Sequence, residues 1–104
     1  MSQEYDKLVR DDIPEIIVDS GETPVTRTAS DAEYETYLCK KLREEVEEYV
    51  TDRDVDELAD VLEVLHAIRK FEGISEQELH NRRERKADDR GRFDERLILE
   101  RVTE

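Results

Sequence analysis

The chain has 104 residues, enough for one domain and too few for two independent cores. Thirty acidic against seventeen basic residues give a formal charge of −13, which repels nucleic-acid phosphate and anionic membrane surfaces and excludes a nucleic-acid binder as the first reading. Charged residues make up 45% of the sequence, yet the apolar residues recur at regular spacing, so the chain is expected to fold.

Arginine outnumbers lysine and aspartate is plentiful, a balance expected of a halophilic source, where salt screens the self-repulsion of an acidic surface. The opening MSQEYDKLVRDD lacks the apolar stretch of a signal peptide, and no run is long enough to span a bilayer. The single cysteine, Cys39, has no partner within the chain for a disulfide. A soluble, cytoplasmic protein is the expectation. A chain this short buries a modest fraction of its surface, which predicts a homodimer or a dimer of dimers.

In chain order, Asp11 and Asp12 stand before Ile13-Pro14, a start suited to a short helix over residues 12–19 that stops near Gly21. Residues 22–29 carry β-branched side chains after a proline and read as an edge strand or a loop. Ser30 with Glu33 forms a capping box, opening a long helix from Asp31 to about Tyr49 or Val50 with Tyr34, Leu38, Leu42 and Tyr49 along one side. A polar break at residues 51–54 offers Asp54 as the next cap, and Val55 to Phe71 forms a second main helix ended by Gly73. So short a connection makes the two helices antiparallel neighbours, burying Leu38, Leu42, Val61, Leu62 and Leu65.

Ser75 with Glu78 opens a third, strongly polar helix that runs to about Arg90 before Gly91. The tail from Phe93 to Val102 contains Leu97-Ile98-Leu99, compatible with a short strand pairing with residues 25–28. The fold class is therefore all-α, a bundle of antiparallel helices with a possible two-stranded edge.

Two carboxylate pairs stand out. On the first main helix Glu45 borders the apolar stripe and Glu48 follows one turn later. On the second, Glu57 and Asp60 lie within about 80° of Val64, Ile68 and Phe71 on the helical wheel, on the apolar side. A surface helix keeps its acids in water, because burying unpartnered charge costs several kcal/mol, so something positive should face these four. Oxygen donors in that arrangement suit a hard cation, Mg²⁺ or Mn²⁺. His66 and His80 have no second histidine at ligand spacing and read as solvent-facing. Tyr34, Tyr37, Tyr49 and Phe71 read as core or subunit interface.

The run Glu44-Glu45-Val46-Glu47-Glu48 followed by Glu57-Leu58-Ala59-Asp60 resembles the EExxE…ExxD signature of the all-α nucleoside triphosphate pyrophosphohydrolases, the superfamily of MazG and phosphoribosyl-ATP pyrophosphohydrolase. The opening from Tyr5 to Ile17 is similar to that of a short, single-domain MazG-like branch, and Arg83, Lys86 and Arg90-Gly91-Arg92-Phe93 to its ending. Two features depart from the pattern: Asp12 stands where that branch commonly has lysine, and the gap between Glu48 and Glu57 is shorter than in MazG.

The resemblance implies a metal-dependent hydrolase that cuts a nucleotide between its α and β phosphates, releasing a monophosphate and pyrophosphate, in the service of clearing unwanted nucleotides. It implies Glu45, Glu48, Glu57 and Asp60 as metal ligands, with Glu44 helping to orient the attacking water and Glu45 sharing in catalysis. Phosphate contacts are expected from Lys7, Arg10, Arg83, Lys86 and Arg90. Two alternatives stand beside this reading: phosphoribosyl-ATP hydrolysis in histidine synthesis, and a non-enzymatic acidic helical module that binds a partner through an exposed apolar stripe.

Overall fold

The computed structural model describes residues 2–104. Among the described residues four helices follow one another in chain order: α1, Ile13–Asp19; α2, Asp31–Asp52; α3, Val55–Phe71; and α4, Glu76–Arg90. The all-α expectation holds. Among the described residues no helix is long and apolar enough to cross a membrane.

Local chemistry explains the boundaries. Pro14 sits in the first turn of α1, where its missing N–H is no loss. At the other end the Gly21 N–H bonds Val18 O and the Glu22 N–H bonds Ile17 O, with Gly21 at φ 93°. This is a helix-ending motif that needs a left-handed residue. The capping box opening α2 is present in full: the Glu33 N–H donates to Ser30 Oγ, and the Ser30 N–H donates to Glu33 Oε1. Ser75 caps α4 through the Glu78 N–H.

The antiparallel hairpin of α2 and α3 organises the molecule. Helix α2 runs two to three residues further than its periodicity suggests, to Asp52, so the whole connection is Arg53-Asp54. Arg53 takes the left-handed conformation (φ 57°) with its N–H on Tyr49 O, and the Asp54 carboxylate accepts from the Asp56 N–H at 2.9 Å. A two-residue turn leaves no slack, and it fixes how far each residue of α3 lies from its neighbours on α2.

The core beneath is thin. Leu38 and Val64 are the buried apolar side chains, at 4% and 8% exposure, with Tyr34 meeting Phe71 edge-to-face at 5.6 Å between centroids. Leu42 and Val61 are half-buried. Leu62 and Leu65, expected inside the hairpin, are exposed, Leu62 at 67%. They belong to the opposite edge of α3, which this chain alone does not cover.

The expected two-stranded edge is absent among the described residues: residues 22–29 and the tail carry no strand and no backbone hydrogen bond to one another. Val25, Leu97, Ile98, Leu99 and Val102 all lie in the open. An isolated pair of strands is marginal in water without an apolar face to pack on, and none is offered here. The radius of gyration is 18.4 Å, against about 13 Å for a compact domain of this size. The molecule measures 62 × 31 × 25 Å along its principal axes.

Candidate metal centre

Residues 45 and 48 are one turn apart on α2, as are residues 57 and 60 on α3, and the Arg53-Asp54 turn sets the two pairs opposite each other. Oxygens of Glu45, Glu57 and Asp60 come within 4.8 Å of one another across the helices, and those of Glu44, Glu45 and Glu48 do so along α2. Glu45 is common to both groupings. Three of the four expected ligands, Glu45, Glu57 and Asp60, therefore lie about one space, and Glu48 joins Glu45 in the grouping along α2.

Glu45 is the informative member. It is 7% exposed, and its Oε2 is buried with no hydrogen-bond partner. Leaving such an oxygen unpaired costs on the order of 1–3 kcal/mol, more when it is charged, and a cation would supply the missing partner. Burial pushes the Glu45 carboxyl above the ordinary carboxylate range; the Lys41 ammonium pulls it back, and neighbouring Glu48 adds to the rise. Burial likewise raises Glu57, opposed by a hydrogen bond with Glu48 and reinforced by the charges of Asp60, Asp52 and Glu45. Glu45 and Glu57 are thus less ready to ionise than a carboxylate in water, burial being the larger cause and neighbouring negative charge adding to it.

Cations of the chain already approach this space from two directions. The N-terminal segment lies across the hairpin: Tyr37 Oη donates to Asp6 Oδ1 at 2.7 Å, Lys7 Nζ reaches Glu44 Oε1 at 2.9 Å, and Arg10 Nη2 reaches Asp60 Oδ1 at 2.7 Å. Lys7 and Arg10, expected as phosphate contacts, are thus brought to the carboxylates.

From α2 itself comes Lys41, which sequence reasoning missed. Its Nζ lies 3.2 Å from Glu44 Oε2 and 3.1 Å from Glu45 Oε1. Burial pulls this ammonium down, but the hydrogen bonds and charges of Glu45 and Glu44 outweigh it and hold it above its ordinary value. The signal was available, since a lysine three and four residues before two glutamates shares their helix face.

Glu44 has both oxygens engaged by lysines. Burial alone would raise its carboxyl; Lys7 and Lys41 reverse the sign and lower it. An open groove of about 510 Å³ runs past Glu44 and Glu48, lined also by Lys40, Arg43, Glu47 and Asp52.

The basic residues of α4 behave differently. Arg83, Lys86 and Arg90 form no ion pair with the central carboxylates among the described residues. Arg83 lies 3.8 Å from Glu84 and lines a separate open cleft with His66, Arg69, Glu76 and His80. His66, read as solvent-facing, is half-buried, with Nδ1 2.9 Å from Arg69 Nη2. Arg69 closes the corner between α3 and α4 by donating to Ile74 O at 2.6 Å.

Comparison with known proteins finds similarity to an uncharacterized protein of Mycolicibacterium smegmatis. It is 62% identical over 42 residues, which cover 40% of this chain and 43% of the relative. The chain thus spans less than half the length of the relative it matches. No family model matches the chain, and no solved structure matches it.

Proposed function

We propose that this chain is a MazG-like, Mg²⁺-dependent pyrophosphohydrolase that cuts a nucleoside triphosphate between its α and β phosphates, removing unwanted nucleotides. The observation that carries the reading is the buried, partnerless Glu45 Oε2 at the meeting point of carboxylates from two helices. Supporting it are the sequence resemblance around Glu44–Glu48 and Glu57–Asp60 and the basic N-terminal segment laid over the same site.

Glu45, Glu48, Glu57 and Asp60 would hold the ion, Mg²⁺ or Mn²⁺, all four offering the hard oxygen donors such ions prefer. The bound ion would neutralise phosphate charge and acidify a water for attack on phosphorus. Lys7 and Arg10 exchange their carboxylate partners for substrate phosphate, for which the Arg10 guanidinium offers two parallel donors. Glu44, held by two lysines and kept ionised, would help to orient the attacking water.

Arg83, Lys86 and Arg90 enter as phosphate contacts through assembly. The uncovered edge of α3 at Leu58, Leu62 and Leu65 is covered by a second copy in a homodimer, or a dimer of dimers, which brings an α4 to a neighbouring site.

The test is release of pyrophosphate from a panel of nucleoside triphosphates and phosphoribosyl-ATP, with Mg²⁺ in buffered KCl. Release from the triphosphates, lost in Glu57→Gln, supports the reading. Release from phosphoribosyl-ATP alone moves the assignment to histidine synthesis. The exposed apolar edge of α3 also suits a non-enzymatic interaction module, and absence of both turnover and saturable Mn²⁺ binding would favour that.

A further inference from the structure

Lys41 differs from the other two cations at the centre in where it is anchored. Lys7 and Arg10 belong to an extended N-terminal segment and their side chains are 38% and 56% exposed, so they can leave the carboxylates for another partner. Lys41 lies on α2 one turn before Glu44 and Glu45, 17% exposed, and the helix itself holds its Nζ between them. Of the two carboxylate groupings, the one along α2 thus already contains a cation fixed by the backbone. The one across the helices shares Glu45, whose Oε1 meets the lysine while Oε2 is buried without a partner.

We infer that Lys41 limits this centre to one divalent ion, its ammonium standing between Glu44 and Glu45 and leaving the other oxygen of Glu45, with Glu48, Glu57 and Asp60, to the metal. Two divalent ions sharing a carboxylate need enough negative charge around them to offset their mutual repulsion. Lys41 takes one charge equivalent from Glu44 and Glu45 together and places a like charge beside any second ion. It also holds Glu45 through one oxygen, which leaves the other to face a single metal. Lys41 is accordingly a positioning residue and need not touch substrate. The inference rests on the metal-site reading above.

The experiment counts Mn²⁺ bound per chain by calorimetry and by electron paramagnetic resonance, with the full chain in buffered KCl and no nucleotide. One ion is expected for the wild type, two for Lys41→Met with magnetic coupling between them, and one for Lys41→Arg, which restores the positive charge. Two coupled ions in the wild type would overturn the inference, as would a single ion in Lys41→Met at unchanged affinity. No saturable binding in the wild type would remove the metal site itself, a failure distinct from either. Should Lys41→Met lose its helical circular dichroism, Lys41→Gln, which keeps a hydrogen-bond donor without the charge, takes its place with the same expected count of two.

Discussion

Arg10 Nη2 lies 2.7 Å from Asp60 Oδ1, joining the N-terminal segment to α3 across fifty residues of sequence. Both side chains are partly exposed, so the pair contributes at most about 1 kcal/mol to stability. Its value lies in position: it parks a guanidinium beside a carboxylate of the proposed metal centre. Arg10→Ala should therefore change the melting temperature little while raising KM several-fold. Steady-state kinetics with thermal melts on the same samples check this, and an unchanged KM would remove Arg10 from the site.

Glu45→Gln separates the cost of the site from its use. The wild-type carboxylate is buried with one oxygen unpartnered and its pKa is raised by that burial, against the pull of Lys41. Folding thus works against its ionisation, and neutralising it should leave the metal-free chain at least as stable as the wild type. The same change should abolish the melting-temperature gain on adding Mn²⁺, because a ligand that binds only the folded state stabilises it by mass action. Loss of fold in the metal-free variant would contradict the picture of a buried carboxylate that folding disfavours.

Stability should respond to pH in two opposite senses. Glu45 and Glu57, raised chiefly by burial, bind protons more tightly folded than unfolded, so acidifying from neutrality through their raised pKa values stabilises the metal-free chain. Glu33 is lowered by hydrogen bonds from the Ser30 backbone and from Arg27, and Glu84 by Arg92. Their contribution is complete above the unfolded carboxylate pKa and is lost as pH falls through the lowered folded values. Melting temperature in the presence of chelator should rise on mild acidification and then fall. Mn²⁺ affinity should decline throughout, as protons compete for the same oxygens. A monotonic fall in stability from neutral pH would sink this prediction.

The turn between the main helices is a further point of leverage. Asp54→Ala removes the cap on the Asp56 N–H and should cost about 1 kcal/mol of stability. Because the same two-residue turn registers Glu57 and Asp60 against Glu45 and Glu48, Mn²⁺ affinity should fall as well. Urea unfolding and calorimetry together test the link, and a loss of stability with wild-type affinity would show that the turn does not set the register.

Assembly can be tested on the uncovered edge of α3. Leu62→Lys places charge on a face that is already two-thirds exposed in the single chain, so an isolated chain would tolerate it within about 0.5 kcal/mol. In a homodimer that buries Leu62 the variant should sediment as the smaller species and melt at a lower temperature. Identical sedimentation of the two proteins would place the interface elsewhere.

The helices were legible from the sequence because their signals are local: Ser30 with Glu33, Asp54, Gly73, and Ser75 with Glu78 each act within a few residues of themselves. The carboxylate pairs were legible for the same reason, since residues one turn apart on a helix share a face whatever surrounds it. Lys41 stands in that local relation to Glu44 and Glu45 and could have been read alongside them.

What depended on tertiary structure was everything at long range. That Lys7 and Arg10 meet Glu44 and Asp60, and that one oxygen of Glu45 is left without a partner, follows from how the N-terminal segment and the two-residue turn bring separate elements together. Apolar periodicity misplaced Leu62 and Leu65, and suggested a strand pair in segments that lie open. A hydrophobic stripe says that a face seeks cover; which neighbour covers it, or whether this chain supplies one, is a property of packing.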